Sequence, residues 1–291
     1  MFRITKIVLP IIFFVILFTG CKKDEVVTPS VDDPNFTNAN GTNGGKLYDK
    51  YWATETGFNQ SDTNLARYNQ RSDFFRCKQC HGWDLLGRAG SYVNRAPTTN
   101  RPNIASLDLL QIAKTKSYTD LFTLIKNGSN PSIRRGLSAD LSTYNPASNS
   151  TIGDQMPNYS AILSDKQIWD LVKFLKTEVT DVNDLYDFTI SGTYPTGAIT
   201  YSNIGKGGTA ATGDTYYASN CVGCHGTNGK LILVDANTYT VGSFIRSKPN
   251  EAHFKVKFGQ LGSSMTAFNP ILQQMKDLYK ALTDTTKYPK P

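Results

Sequence analysis

Two pentapeptides restrict what this chain can fold into more than anything else in it: Cys77-Lys78-Gln79-Cys80-His81 and Cys221-Val222-Gly223-Cys224-His225. Both read C-x-x-C-H, the pattern for covalent attachment of a c-type haem. Two thiols three residues apart can reach the two vinyl edges of one porphyrin and form thioethers. The His that follows is then held under the ring, where an imidazole nitrogen can ligate iron. Composition alone would place one such pentapeptide in about one chain in a thousand, and this chain has two. A redox dithiol does not need the following His. A zinc site would have to join motifs that lie 144 residues apart, each with its own His.

The remaining composition agrees. A length of 291 residues allows one large domain or two small ones, and 39% apolar with 19% charged residues is globular. Four of the five cysteines lie in the motifs and the fifth, Cys21, has a separate explanation, so no structural disulfide is expected. Two of the three His are in the motifs as well. The net charge of +7 loses Arg3 and Lys6 with the leader, and the four propionates of two haems would cancel most of the rest. No nucleic-acid partner is therefore expected.

Arg3 and Lys6 precede an apolar run from Ile7 to Phe18 that is short of the ~20 residues a membrane-spanning helix needs. A charged start, an apolar core and small residues before a cut site make residues 1–20 a secretory signal peptide. The end of that run, Leu17-Phe18-Thr19-Gly20-Cys21, resembles a bacterial lipoprotein box, with Phe18 as its departure from the pattern. The resemblance implies cleavage before Cys21 and a diacylglycerol on its thiol, giving a firm membrane anchor. An ordinary signal peptide that happens to precede Cys21 is the alternative. Lys22-Lys23-Asp24-Glu25 resembles a short export signal of surface lipoproteins. Residues 21–45 are read as a lipidated N-terminus and flexible tether, since 26–45 are rich in Asn, Thr, Gly, Pro and Asp without an apolar period. Export agrees with the haem motifs, because c-type haem is attached outside the cytoplasmic membrane.

Residues 46–180 form the expected first unit. Lys46 to Ala53 suggests a short helix, and Tyr118–Asn127 a second one stopped by Gly128. Arg88, Arg95 and Arg101 follow the first motif, where an Arg could pair with a propionate. Residues 129–155 are a polar insertion, read as surface loop. Met156-Pro157-Asn158-Tyr159 then precedes a helix capped by Ser164 and Gln167, whose apolar face is Ile168, Trp169, Leu171, Val172, Phe174 and Leu175.

Residues 181–204 are read as a linker with a short strand, and 205–291 as a second unit. Gly213 to Asn220 leads into Cys221, Asn250 could cap a helix Glu251–Phe258, and Met265 follows in a polar loop. Asn269-Pro270 is read as the start of a last helix with the stripe Ile271, Met275, Leu278, Tyr279 and Leu282. Met275 lies inside that stripe and reads as core, and His253 as a half-buried helix residue.

In both units a C-x-x-C-H-G, a middle helix ending at Gly, a Met loop and an amphipathic final helix are similar to a class I cytochrome c domain. The resemblance implies a mainly α fold of two tandem cytochrome c-like helical domains joined by a linker, the first enlarged by insertions. It implies two covalently bound haem c groups on Cys77, Cys80, His81 and on Cys221, Cys224, His225. It also makes Met156 and Met265 the second axial iron ligands, although Thr266 replaces the expected Pro after Met265. With both irons held by His and Met, the expectation is a membrane-anchored electron carrier that exchanges electrons with other redox proteins at the periplasm or cell surface. The alternatives are a dihaem redox enzyme, peroxidase-like or sulfur-compound oxidising, and the electron-entry subunit of a larger oxidoreductase. Only His253 could serve a peroxidase as a further His ligand, and no free Cys remains to ligate iron in a sulfur-oxidising site.

Overall fold

Glycine decides where the first helices pack. In a computed structural model, which describes residues 33–51, 76–87, 108–127, 159–161, 163–192 and 198–291, the chain opens with α1 (Pro34–Asn38) and α2 (Gly41–Asp49). Asp33 caps α1 by accepting from the Asn35 N–H at 2.8 Å, and Asn40 caps α2 by accepting from Asn43 at 3.0 Å. Residues 33–45 are thus largely helical, which corrects their reading as flexible tether. Of the polar residues that suggested a tether, Asp33 and Asn40 are caps, and Gly41, Gly44 and Gly45 are packing positions. A Cβ on Gly44 would lie 1.9 Å from the Asp170 carbonyl oxygen, and one on Gly45 2.4 Å from the Phe258 ring. The helix read over 46–53 accordingly begins at Gly41 and ends at Asp49, while Trp52 and Ala53 lie outside the described residues.

The first haem motif forms α3 (Cys77–His81), followed by α4 (Leu109–Thr115) and α5 (Tyr118–Asn127). Helix α6 (Asp165–Lys173) begins with the expected reciprocal cap: Ser164 Oγ accepts from the Gln167 N–H at 3.3 Å, and Gln167 Oε1 accepts from the Ser164 N–H at 2.8 Å. It runs on into a π-helical turn, Phe174–Glu178. Ile168, Leu171, Val172 and Phe174 are buried, and the Trp169 ring stacks on Phe122 at 4.5 Å.

Residues 181–204 are more than a connection. Val182, Leu185 and Tyr186 are buried, and β1 (Asp187–Ser191) pairs antiparallel with β2 (Ala198–Ser202). Phe188 faces Tyr201 and Ile190 faces Ile199, which gives the hairpin one apolar face. Then come α7 (Ala210–Asn220), α8 (Val222–His225), α9 (Val241–Ser247), α10 (Pro249–Phe258) and α11 (Leu272–Leu282). Asn250 does not cap α10, because Pro249 already occupies its first turn. Helix α11 starts at Leu272, beyond Asn269-Pro270, where the Ile271 N–H donates to Gln274 Oε1 at 3.1 Å.

The crossing of α2 with α6 is repeated by α7 with α11. A Cβ on Gly213 would sit 1.9 Å from the Asp277 carbonyl oxygen, just as Gly44 meets Asp170. The carboxylates of the same two residues cap the partner helices: Asp170 accepts from the Asn40 N–H at 2.7 Å, and Asp277 from the Thr209 N–H at 2.8 Å. Buried side chains from both halves, Leu47, Tyr48 and Ile168 with Phe254, Leu278 and Tyr279 among them, form one continuous core. No helix among the described residues is long and apolar enough to cross a membrane. Residues 1–32, where the signal peptide and the lipidated Cys21 were expected, lie outside the described residues.

Candidate haem sites

Helix α3 is anchored at both ends. Arg76 is its N-cap residue, and Gly82 ends it at φ 76° and ψ 168°, a conformation open to glycine. The Tyr48 hydroxyl donates to the Gly82 carbonyl at 2.6 Å, and the Gly87 N–H to the His81 carbonyl at 3.0 Å. Burial pushes the Cys77 thiol up to about 12, although a hydrogen bond with the Tyr159 hydroxyl pulls the other way. Burial also lowers His81 to about 4, so its imidazole is neutral, as an iron ligand must be. Met156 lies outside the described residues, but Tyr159, three positions later, is seated against Cys77. Arg88, Arg95, Arg101 and the 129–155 insertion are outside the described residues too.

The second motif is built the same way. Gly226 ends α8 at φ 74° and ψ 168°. The Tyr217 hydroxyl donates to the Gly226 carbonyl at 2.8 Å, and the Leu231 N–H to the His225 carbonyl at 3.0 Å. Burial, with Cys224 adding to it, pushes the Cys221 thiol up to about 11. Burial lowers His225, partly offset by the Ile232 backbone. Nδ1 of His81 and of His225 is buried without a well-formed hydrogen bond in either case.

These surroundings fit a porphyrin. Among the described residues no three His, Cys, Asp or Glu side chains gather to hold a metal ion by themselves. A tetrapyrrole supplies the remaining donors of such a centre. The exposed large apolar side chains also have a pattern: Leu231 (71% exposed) and Ile232 (48%) lie six and seven residues past His225, and Ile271 (67%) and Leu272 (41%) six and seven past Met265. Apolar side chains left this exposed suit contact with an apolar group. A cleft of about 410 Å³ runs between Asn220, which adjoins Cys221, and Phe268, three residues past Met265. Half-buried Met265 is held by its own loop, its N–H donating to Ser263 Oγ and its carbonyl accepting from Gln260, both at 3.1 Å.

Two rival ligands are committed elsewhere. Met275 is buried in α11. His253 is buried rather than half-buried, with Nδ1 3.4 Å from the Pro249 carbonyl, and burial lowers it to about 4. Tyr48 and Tyr217 are aromatics of the helices that lead to the motifs, and the structure adds their role: each hydroxyl holds the turn after its motif. Their signal was legible as Gly-x-x-x-Tyr, present as Gly44–Tyr48 and Gly213–Tyr217. The sequence reading missed a buried cluster at the first motif. Asp49 pairs there with Arg76 and, at 3.1 Å, with Lys255, while Lys255 and Lys78 lie over the Trp83 ring at 4.0 and 4.4 Å. Burial would raise the Asp49 carboxyl, but Lys255 and Arg76 more than offset that and hold it below its usual range.

Residues 42–178 match the family model described as Cytochrome c. No curated protein and no solved structure matches the chain. A cytochrome c domain over these residues implies covalently bound haem c and supports a haem-based role in electron transfer. The matched segment contains the first motif and ends before the second.

Proposed function

We propose, from the cytochrome c match over residues 42–178 and from the likeness of its motif to the second one, that the chain is a dihaem c-type cytochrome of two tandem cytochrome c-like units whose activity is electron transfer. The observation that carries this reading is the repeated construction of α3 and α8: a tyrosine hydroxyl on the glycine carbonyl, that glycine at positive φ, and an imidazole with its pKa lowered by burial. Cys77 and Cys80 tether the first haem through thioethers and Cys221 and Cys224 the second. His81 and His225 would each offer one neutral nitrogen to the iron, and Met156 and Met265 would offer it thioether sulfur. Haem c, when bound, supplies a one-electron iron couple at each site. Around the first motif Tyr48, Trp83 and Tyr159 are buried and keep water away, while the second motif is more open, with Cys224 exposed.

With lipid on Cys21 and the leader removed, the protein is held at a membrane and faces the periplasm or the cell surface. Its partners there are other redox proteins, one donor and one acceptor. Mass measurement of the full chain, matured in a host that attaches haem, is expected to show two added porphyrins. Spectroelectrochemical titration of wild type, Met156→Ala and Met265→Ala is then expected to show two couples, each Met substitution lowering one. A mass with fewer than two porphyrins would overturn the dihaem reading. Couples unmoved by either substitution would overturn the axial assignments.

A further inference from the structure

One of the two motifs carries a device that the other lacks. The Asp49 carboxylate, at the end of α2, is buried between Arg76 and Lys255. Arg76 immediately precedes Cys77, and its side chain also donates to the Asp49 backbone carbonyl. Beyond the motif, Trp83 is buried with Lys255 Nζ 4.0 Å from its ring centroid and the Phe254 ring 4.9 Å away. Two neighbouring side chains of α10, from the second half of the sequence, therefore reach both ends of α3. Glu251 is the other acid near Lys255, 4.0 Å away and partly exposed.

The second motif serves as an internal control. It keeps the tyrosine and the glycine, but the positions that match Asp49, Arg76, Lys78 and Trp83 are Ala218, Asn220, Val222 and Thr227. Holding a C-x-x-C-H helix in place thus does not require the cluster. The far end of α10 is tied instead to the Met265 segment. The Phe268 N–H donates to the Val256 carbonyl at 3.1 Å, and Gly259, at φ +79°, packs so closely that a Cβ would lie 2.7 Å from the Met265 carbonyl oxygen.

We infer that α10 is a wall common to both haem sites, and that Lys255 and Phe254, which belong to the second unit, are positioning residues for the first haem. The inference rests on the dihaem reading above. Lys255 orients the Arg76–Asp49 pair before Cys77 and adds a buried positive charge next to Trp83, two residues past His81. A cation in that place favours the reduced iron, because net charge near a haem sets its potential and a buried charge is weakly screened. Removing it leaves the Asp49 carboxylate with one cation fewer and favours the oxidised iron.

The test is spectroelectrochemical titration of the holoprotein, with Lys255→Met, Lys255→Arg and Val222→Lys beside wild type. Val222→Lys places a cation at the position matching Lys78 and marks the second haem by raising its couple. Lys255→Met is expected to lower the other couple and leave the marked one in place, and Lys255→Arg is expected to restore it. If Lys255→Met does not accumulate with haem, Lys255→Gln removes the charge with less disturbance and has the same expected result. Haem content is read by mass in every variant, so a shortage of porphyrin counts against the dihaem reading and not against this one. With two haems present, the inference is overturned by an unmoved pair of couples, by a shift of the marked couple, by equal shifts of both, or by failure of Arg to restore.

Discussion

At the scale of single residues, burial decides protonation, and His253 is the clearest case. Its ring is buried, with Nδ1 3.4 Å from the Pro249 carbonyl and the Phe254 ring beside it, and burial lowers its pKa from 6.5 to about 4. A base whose folded pKa is depressed contributes stability that is complete above its unfolded pKa and is lost as pH falls through the folded value. Stability of the holoprotein is therefore expected to fall between pH 6.5 and 4 by roughly 3 kcal/mol on account of this ring. Urea unfolding across that range should show the slope, and His253→Gln should flatten it. A slope equal in both proteins would assign it to other groups. Asp49 acts in a separate window: its depressed carboxyl contributes fully above the ordinary value of 3.8, and that contribution is lost only as pH falls through its lowered one. The two groups can thus be told apart by pH.

At the scale of elements, helix pairs meet at glycine. Gly44 and Gly213 each place a helix backbone against the carbonyl of an aspartate on the crossing helix, with no room for a methyl group. Because the obstructing atom in each pair is backbone, side-chain rotation cannot relieve the clash. Gly44→Ala and Gly213→Ala are each expected to lower the unfolding free energy by about 3 kcal/mol, at the upper end of the cost of overpacking. Equilibrium urea unfolding of the holoprotein measures this. A loss below 1 kcal/mol in either variant would mean that the helices separate easily and that the close approach is incidental. The same crossings explain why glycine at 41, 44 and 45 is compatible with a helix whose own propensity is poor: the packing they permit outweighs the propensity they cost.

At the scale of the whole molecule, the two halves share one core. Phe254 touches Tyr48, Trp83 and Phe174 of the first half and Phe258 of its own helix, with ring centroids 4.7–6.0 Å apart. Val182, Leu185 and Tyr186 of the intervening segment are buried in the same cluster. Thermal unfolding of the holoprotein is accordingly expected to be one cooperative transition, not two. Phe254→Ala should lower that transition as a whole, at a cost of about 3–5 kcal/mol. Calorimetry that resolved two independent transitions would show that the halves are stable without each other.

The sequence by itself determined the two haem-attachment motifs and several local helices. Each C-x-x-C-H lies within five consecutive residues, the Ser164–Gln167 cap spans four, and the α11 stripe of Met275, Leu278, Tyr279 and Leu282 repeats at a helical period and is buried. Signals of that kind need no knowledge of the rest of the chain. Ile271 shows where the pattern stops being a guide, since it fits the stripe by spacing yet lies just before the helix and is exposed. Tertiary structure alone decided that residues 33–45 are helical, that α10 packs on Trp83 beside the first motif and that Asp49 meets Lys255. The last two are 206 positions apart. Such contacts arise from the balance of burial and charge pairing in the folded core, where residues remote in the chain are brought to within 3.1 Å of each other, and local periodicity carries no record of that balance.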